Sequence, residues 1–175
     1  MLINLSDVLS DQHKTVEETV PFTMETIRTK SGEYPIVESE PVHVRVEHVR
    51  GKELLIHADT RLVTVIPCDR CLEDVRHEFV LDCTRHVDVG LSDAELTEEL
   101  DESNFIDGYH LDVDKLLYNE LLPEWPEKVL CREDCKGLCS ICGANLNHGE
   151  CGCDREVLDP RMAAFQDIFS KFKEV

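Results

Sequence analysis

The cysteines are the residues whose spacing most clearly predicts chemistry in this chain. Six of the nine cysteines fall between Cys131 and Cys153. Within that stretch, the run Cys139-Ser-Ile-Cys142-Gly143 has the form of a zinc knuckle, in which two thiolates turn onto one metal ion. The glycine that follows the second cysteine accepts the backbone twist that such a turn requires. The sequence therefore predicts a structural metal site centred on this knuckle.

A tetrahedral site needs four ligands, so Cys139 and Cys142 must find another pair. We expect Cys151 and Cys153 to complete the site, because a knuckle, a tight loop and a return need few chain reversals. The alternative pair lies just upstream. It consists of Cys131 and Cys135. His148 can also replace a thiolate, although a histidine in a loop is more often simply solvated.

A second Cys-x-x-Cys motif, Cys68 and Cys71, lies between two predicted strands. The pair is open to three interpretations: structural thiols at a strand end, additional ligands of the knuckle metal, or a redox dithiol. A thioredoxin-like dithiol needs a strand-to-helix setting, whereas strands flank this motif on both sides. Cys83, on the apolar face of a predicted strand, is expected to be a core residue.

Zinc is the metal that the ligand type predicts, with one ion per chain in a structural role. Thiolates exclude ions that prefer oxygen, and the spacing is that of a structural zinc site, not an iron–sulfur cluster. A site with four protein ligands is closed and cannot activate water. Its metal would supply folding free energy to a segment that is poor in core-forming residues.

Composition and charge narrow the classes of function. The chain has 175 residues, 42% of them hydrophobic, which is enough for one domain or one domain with a small appendix. Its net charge of −19 opposes broad binding to phosphates and favours protein partners. No apolar run approaches the ~20 residues that cross a bilayer, and the first residues do not resemble a signal peptide. We therefore expect a cytoplasmic protein with reduced cysteines and no membrane association.

The predicted fold class is α+β, with an antiparallel β-meander, curled or closed like a barrel, at its centre. Val42, Val44 and Val46 alternate with polar residues, and two long β-rich runs follow them to residue 89. An earlier run, residues 16–28, is compatible with a strand that Pro21 keeps near an edge. Consecutive strands joined by short turns predict the meander.

Two helices complete the predicted architecture. Asp112 is an N-cap for a helix over 112–122 that Pro123 ends, and Asp159-Pro160 begins a second helix at the C-terminus. Residues 92–107, with seven acidic and no basic side chains, predict a solvated loop. We expect a β domain over 1–122, followed by a cysteine-rich segment and its helix over 123–175.

Several of these motifs together resemble one known family. The C-terminal part carries most of the resemblance, and a middle motif adds to it; the residues are Leu130-Cys131-Arg-Glu-Asp-Cys135-Lys136-Gly137-Leu138-Cys139, Cys142-Gly143, Asn145-Leu146-Asn147, Cys151-Gly-Cys153, Asp159-Pro160-Arg161 and Cys68-Asp-Arg70-Cys71-Leu72. They closely resemble the YceD family, the large ribosomal RNA subunit accumulation proteins. The resemblance implies a cytoplasmic role in the synthesis, processing or stability of 23S ribosomal RNA. It implies no catalytic residues.

The leading hypothesis is a non-enzymatic accessory factor of large-subunit ribosome biogenesis that contacts ribosomal proteins or assembly factors. An acidic surface suits basic ribosomal proteins. A second hypothesis is a zinc module that binds ribosomal RNA directly, through a local basic patch around the cysteines. A third is a dithiol redox protein that uses Cys68 and Cys71. The basic patch of the second hypothesis would comprise Lys128, Arg132, Lys136, Arg155 and Arg161.

Overall fold

The structure is a computed structural model that describes residues 1–10, 14–51, 53–88 and 105–154. The chain divides into two compact units. The first consists of Met1–Pro67 and Asp74–Val129, and the second of Cys68–Glu73 and Leu130–Val175. The expected division at residues 122 and 123 stays a prediction. The C-terminal helix and most of the acidic loop 92–107 lie outside the described residues.

The first unit is built mainly from antiparallel strands. Its strands and helices, in chain order, are β1 Leu2–Asn4, α1 Ser6–Ser10, β2 Thr15–Val20, β3 Thr26–Arg28, β4 Glu33–Ser39, β5 Val42–Arg50, β6 Glu53–Pro67, β7 Asp74–Asp88, β8 Ile106–Asp107, β9 His110–Asp112 and α2 Val113–Leu121.

The predicted meander is confirmed in strands β5, β6 and β7. Val42, Val44 and Val46 of β5 are buried, as the alternation predicts for one face of a strand. Gly51 turns the chain from β5 into β6 with a φ of 56°. Strands β6 and β7 then pair antiparallel along their whole length, from Glu53 opposite Asp88 to Pro67 opposite Asp74.

Strand β6 is the centre of the sheet because it pairs with three other strands. Its first half pairs with β5, its second half pairs with β4 along the same edge, and β7 covers the opposite edge. The expectation of a barrel-like sheet is therefore wrong. Both edges of β6 are filled, and in the described ranges no pairing joins β7 to β2 or β3, so the sheet stays open.

The predicted strand over residues 16–28 is divided in two by Pro21. Strand β2 ends at Val20 and pairs with β5, whereas β3 begins at Thr26 and pairs with β4. Proline cannot donate a hydrogen bond to a ladder, so the chain leaves the sheet there. Phe22 and Met24 in this break are partly buried against the core.

The predicted helix over 112–122 is confirmed as α2, which covers Val113–Leu121. The Asp112 side chain caps it by accepting a hydrogen bond from the Lys115 backbone N–H at 3.4 Å. The helix follows a small three-stranded sheet with the order β1-β9-β8. Ile106–Asp107, expected within the acidic loop, form strand β8 of this sheet.

Aliphatic side chains from the large sheet, the small sheet and α2 form one core. Phe79 stacks on Trp125 at 5.5 Å between ring centroids, and Trp125 in turn contacts Tyr34 at 4.9 Å. Cys83 is a core residue, as its position in the alternation predicts, and burial raises the pKa of its thiol to about 11.

Replacing one buried side chain of β6 tests the central position of this strand. Ile56 is fully buried, so Ile56→Ala should lower the free energy of unfolding by about 2–5 kcal/mol. Val80 on the neighbouring strand is 65% exposed, so Val80→Ala should change the free energy of unfolding by about 0.5 kcal/mol or less. Denaturant titration measures both values. Equal losses for the two variants would contradict the assignment of Ile56 to the core.

Candidate metal centre

The two Cys-x-x-Cys motifs fold into the same turn. In one, the Leu72 backbone N–H donates to the Cys68 carbonyl at 2.9 Å, and in the other Gly143 donates to Cys139 at 2.9 Å. The donating residue has a positive φ in both turns, 61° at Leu72 and 73° at Gly143. The knuckle predicted for Cys139 therefore has a counterpart of matching backbone geometry at Cys68.

Four thiols from the 68–73 turn and the start of the C-terminal segment form the first group, which we call the hairpin site. Its members are Cys68, Cys71, Cys131 and Cys135, and their sulfurs all lie within 4.8 Å of one another. The Cys68 and Cys135 sulfurs are 3.8 Å apart, and those of Cys71 and Cys131 are 3.5 Å apart. Tetrahedral zinc with Zn–S bonds of ~2.3 Å separates its sulfurs by about 3.8 Å, so this group can hold a metal ion.

Four further thiols form the second group, which we call the knuckle site. They are Cys139, Cys142, Cys151 and Cys153, and their sulfurs also lie within 4.8 Å of one another. These are the four residues that the sequence analysis places first. The structure brings them together, and the group can hold a metal ion.

The alternative ligands do not compete for the knuckle site in the structure. Cys131 and Cys135 join Cys68 and Cys71 instead, so eight cysteines form two separate groups of four. The expectation of one site per chain thus becomes two candidate sites. His148 belongs to neither group, and its Nε2 lies 2.6 Å from the Glu73 carboxylate.

Backbone N–H groups stabilise one thiolate in each group. Those of Cys142 and Ile141 lower the pKa of Cys139 to about 6. Burial raises the pKa of Cys68, but backbone N–H groups, foremost that of Arg70, outweigh burial and lower it to about 6. Turns that aim N–H groups at sulfur favour the deprotonated form, which is the form that binds metals.

Other thiols in the same groups resist deprotonation. Burial and the neighbouring thiols raise the pKa of Cys71 to about 12. The thiols of Cys142 and Cys151, together with burial, raise the pKa of Cys153 to about 12. Four thiolates this close repel one another, so all four can be charged only around a cation. Each group therefore has the electrostatic character of a metal-binding site.

Backbone hydrogen bonds hold the segments of the second unit together. The Leu138 N–H donates to the Arg70 carbonyl at 3.0 Å, and the Leu146 N–H donates to Gly137 at 2.9 Å. The Arg70 guanidinium donates to the Cys135 carbonyl at 2.8 Å. The 68–73 turn and the C-terminal cysteine segment thus share one hydrogen-bonded framework.

Two polar residues that received no functional role from the sequence alone, Arg70 and Asn147, contribute to this framework. Arg70 contacts the backbone of Cys135, and Asn147 contacts its sulfur. Both stand inside motifs that carry the family resemblance. Their position within or just beside the cysteine motifs is the signal that could have identified them, because metal ligands need such outer contacts.

The described part of the chain contains no helix long and apolar enough to cross a membrane.

Of the basic residues expected to form a patch, Arg132 contacts Asp134 at 3.6 Å. Arg155 and Arg161 lie outside the described residues.

Fold and site together define a class: an open antiparallel β-sheet protein with two four-cysteine groups able to hold metal ions. The family described as "Large ribosomal RNA subunit accumulation protein YceD" matches residues 56–169. The chain belongs to the YceD family, which confirms the resemblance seen in its motifs.

Related proteins occur in bacteria and in plants. An uncharacterized protein of Mycobacterium bovis is 30% identical over 156 residues, which cover 89% of this chain and 72% of the relative. The protein of Arabidopsis thaliana named large ribosomal RNA subunit accumulation protein YCED homolog 1, chloroplastic, is 29% identical over 154 residues. That match covers 73% of this chain and 47% of the plant protein. No solved structure matches the chain.

Two glycines of the second unit allow a matched test of its packing. Gly137 and Gly143 have similar φ values, 75° and 73°. A Cβ at residue 137 would lie 3.0 Å from the Arg70 carbonyl oxygen, whereas one at residue 143 would meet nothing within 4 Å. Gly143→Ala should cost about 1–2 kcal/mol from the left-handed backbone alone, and Gly137→Ala should cost more.

Amide hydrogen exchange at Leu138 and Leu146 measures the local free energy of opening in both variants. Protection should fall further in Gly137→Ala than in Gly143→Ala. Equal protection would show that the close approach of residue 137 to Arg70 is absent in solution.

Proposed function

We propose that this protein is a non-enzymatic accessory factor in large-subunit ribosome biogenesis, acting in the cytoplasm through protein contacts. Membership of the YceD family carries the proposal, because the family is described by accumulation of the large ribosomal RNA subunit. The factor would support synthesis, processing or stability of 23S ribosomal RNA. Its partners would be large-subunit ribosomal proteins or assembly factors.

The distribution of charge supports protein partners over RNA. The chain carries 37 acidic and 18 basic side chains. Several arginines of the sheet are already engaged by carboxylates, among them Arg61 with Glu40 at 3.3 Å and Arg76 with Glu38 at 2.6 Å. Arginines paired in this way are poorly placed to displace counterions from phosphates. An acidic surface instead attracts basic proteins and speeds their association.

We further propose that the knuckle site holds a structural zinc ion. Its four cysteines fit zinc, which forms closed tetrahedral sites with thiolates. Bound there, the metal would supply cross-linking and charge neutralisation. The dithiol hypothesis has less support, because the Cys68 and Cys71 sulfurs lie next to those of Cys135 and Cys131 in a group of four.

Affinity purification under graded salt tests the partner proposal. Tagged protein should recover basic large-subunit ribosomal proteins at low salt, including after ribonuclease treatment, and lose them at high salt. Depletion of the protein should lower 23S RNA relative to small-subunit RNA. Recovery that requires intact RNA would favour direct RNA binding. Tight binding of purified protein to ribosomal RNA fragments, weakening steeply with salt, would then replace our proposal.

Two cysteine variants test the zinc proposal. Cys139→Ser removes a ligand of the knuckle site, so its zinc content should fall, whereas Cys83→Ser changes a core thiol and should retain zinc. Elemental analysis of protein purified under reducing conditions measures both. Amide exchange should also increase around residues 131–158 in Cys139→Ser and stay unchanged in the large sheet. Equal zinc content in the two variants would disprove the site.

A further inference from the structure

The hairpin site is the feature that the proposed function leaves unexplained. Three of its cysteines are buried, and Cys131 is half-buried. Thiols placed this closely either form disulfides, act in redox chemistry or bind a metal. The arrangement of the sulfurs and the contacts of one asparagine favour the metal.

The sulfur positions favour metal over disulfide chemistry. The close pairs join different segments, Cys68 with Cys135 and Cys71 with Cys131, at 3.8 Å and 3.5 Å. A disulfide needs an S–S distance of ~2.05 Å, whereas about 3.8 Å is the edge of a zinc–thiolate tetrahedron. All four sulfurs lie near one another, so no single pair is singled out. A backbone hydrogen bond from Leu72 to the Cys68 carbonyl closes this turn, and it matches the bond from Gly143 to the Cys139 carbonyl in the knuckle.

Asn147 contributes a contact of the kind that metal-bound thiolates receive. Its Nδ2 donates to the Cys135 sulfur at 3.2 Å, while its Oδ1 accepts from the Lys136 backbone N–H at 2.8 Å. Because Oδ1 is engaged by a donor, the amide group has one orientation, with Nδ2 toward the sulfur. Asn147 is thus built to support a thiolate at this position.

The segment that carries Asn147 belongs to the other site. It runs between Cys142 and Cys151, which are both members of the knuckle site. A metal ion bound there would fix both ends of this segment and hold Asn147 against Cys135. Loading of the knuckle site would therefore preorganise the hairpin site.

We propose that Cys68, Cys71, Cys131 and Cys135 bind a second structural zinc ion, and that Asn147 positions Cys135 for it. The inference rests on the proposed zinc of the knuckle site. Four thiolates select zinc over oxygen-preferring ions, and each zinc ion that binds releases to solvent the protons that its four ligands still carry. The hairpin site then binds zinc more tightly when the knuckle site is filled.

Metal stoichiometry of the full-length protein tests the second site. Protein purified under reducing conditions should contain two zinc ions per chain. Cys71→Ser and Cys142→Ser should each lose one ion at saturating zinc, and Cys142→Ser should bind its remaining ion more weakly. Alkylation followed by mass spectrometry gives a second measurement on wild-type protein. Zinc should protect Cys131 and Cys135 as well as Cys151 and Cys153.

Two asparagine variants test the role of Asn147. Asn147→Asp removes the donor and places a carboxylate beside the Cys135 sulfur. Asn145→Asp is a matched control, since Asn145 Oδ1 accepts from the Asn147 N–H at 2.9 Å and a carboxylate accepts equally well. Competition with a chelator should show one zinc ion bound 10- to 100-fold more weakly in Asn147→Asp, as outer contacts of metal ligands typically contribute. Asn145→Asp should match wild type.

The outcomes separate this inference from the proposed function. One zinc ion per chain, lost in Cys142→Ser and retained in Cys71→Ser, would overturn the second site and leave the knuckle site intact. No zinc at all would overturn both. Two zinc ions with equal affinities in Asn147→Asp and Asn145→Asp would overturn the positioning role. Cobalt substitution should give the thiolate charge-transfer absorption of two tetrahedral sites in wild-type protein.

Discussion

The pairing of β6 with β7 is the interaction on which the rest of the first unit depends. It runs without a register shift from Glu53 opposite Asp88 to Pro67 opposite Asp74, and the other edge of β6 carries β5 and then β4. Every strand of the large sheet is joined to β6 directly or through one neighbour. Because the register is fixed at Pro67 and Asp74, the six residues between them must reverse the chain. That reversal is where Cys68 and Cys71 lie.

Local patterns in the sequence predicted the elements but not their long-range pairing. Alternating valines identified β5, and Asp112 identified the start of α2, because both signals arise from neighbouring residues. The prediction of a closed barrel was wrong because nothing in the strand patterns shows that β4 and β5 share one edge of β6. The grouping of Cys68 and Cys71 with Cys131 and Cys135 was likewise unpredictable from spacing. The Cys68 and Cys135 sulfurs lie 3.8 Å apart although 67 positions of sequence separate the two residues, a separation over which spacing carries no information.

The described part of the second unit, residues 68–73 and 130–154, has few apolar side chains from which to build a core. Ile141 is 54% exposed, Leu72 is 65% exposed, and several of its buried side chains are cysteines. Hydrophobic burial there can offset only a small part of the conformational entropy lost on folding. Two bound metal ions, as proposed, would replace that missing core with cross-links among three short segments. They would also explain why the chain can place eight thiols so closely, since each ion neutralises part of the charge that its ligands carry.

The backbone conformation of Leu72 shows how strongly its surroundings constrain the turn between Cys68 and Glu73. Its φ of 61° is a conformation that costs a non-glycine residue about 1–2 kcal/mol, whereas Gly143 adopts the matching conformation in the other knuckle without that cost. A strained residue persists only where its surroundings over-determine its backbone. Here the surroundings are the ladder that ends at Pro67 and Asp74, the hydrogen bond to the Cys68 carbonyl, and the N–H groups directed at sulfur. The turn therefore takes its shape from these constraints and not from the backbone preference of Leu72.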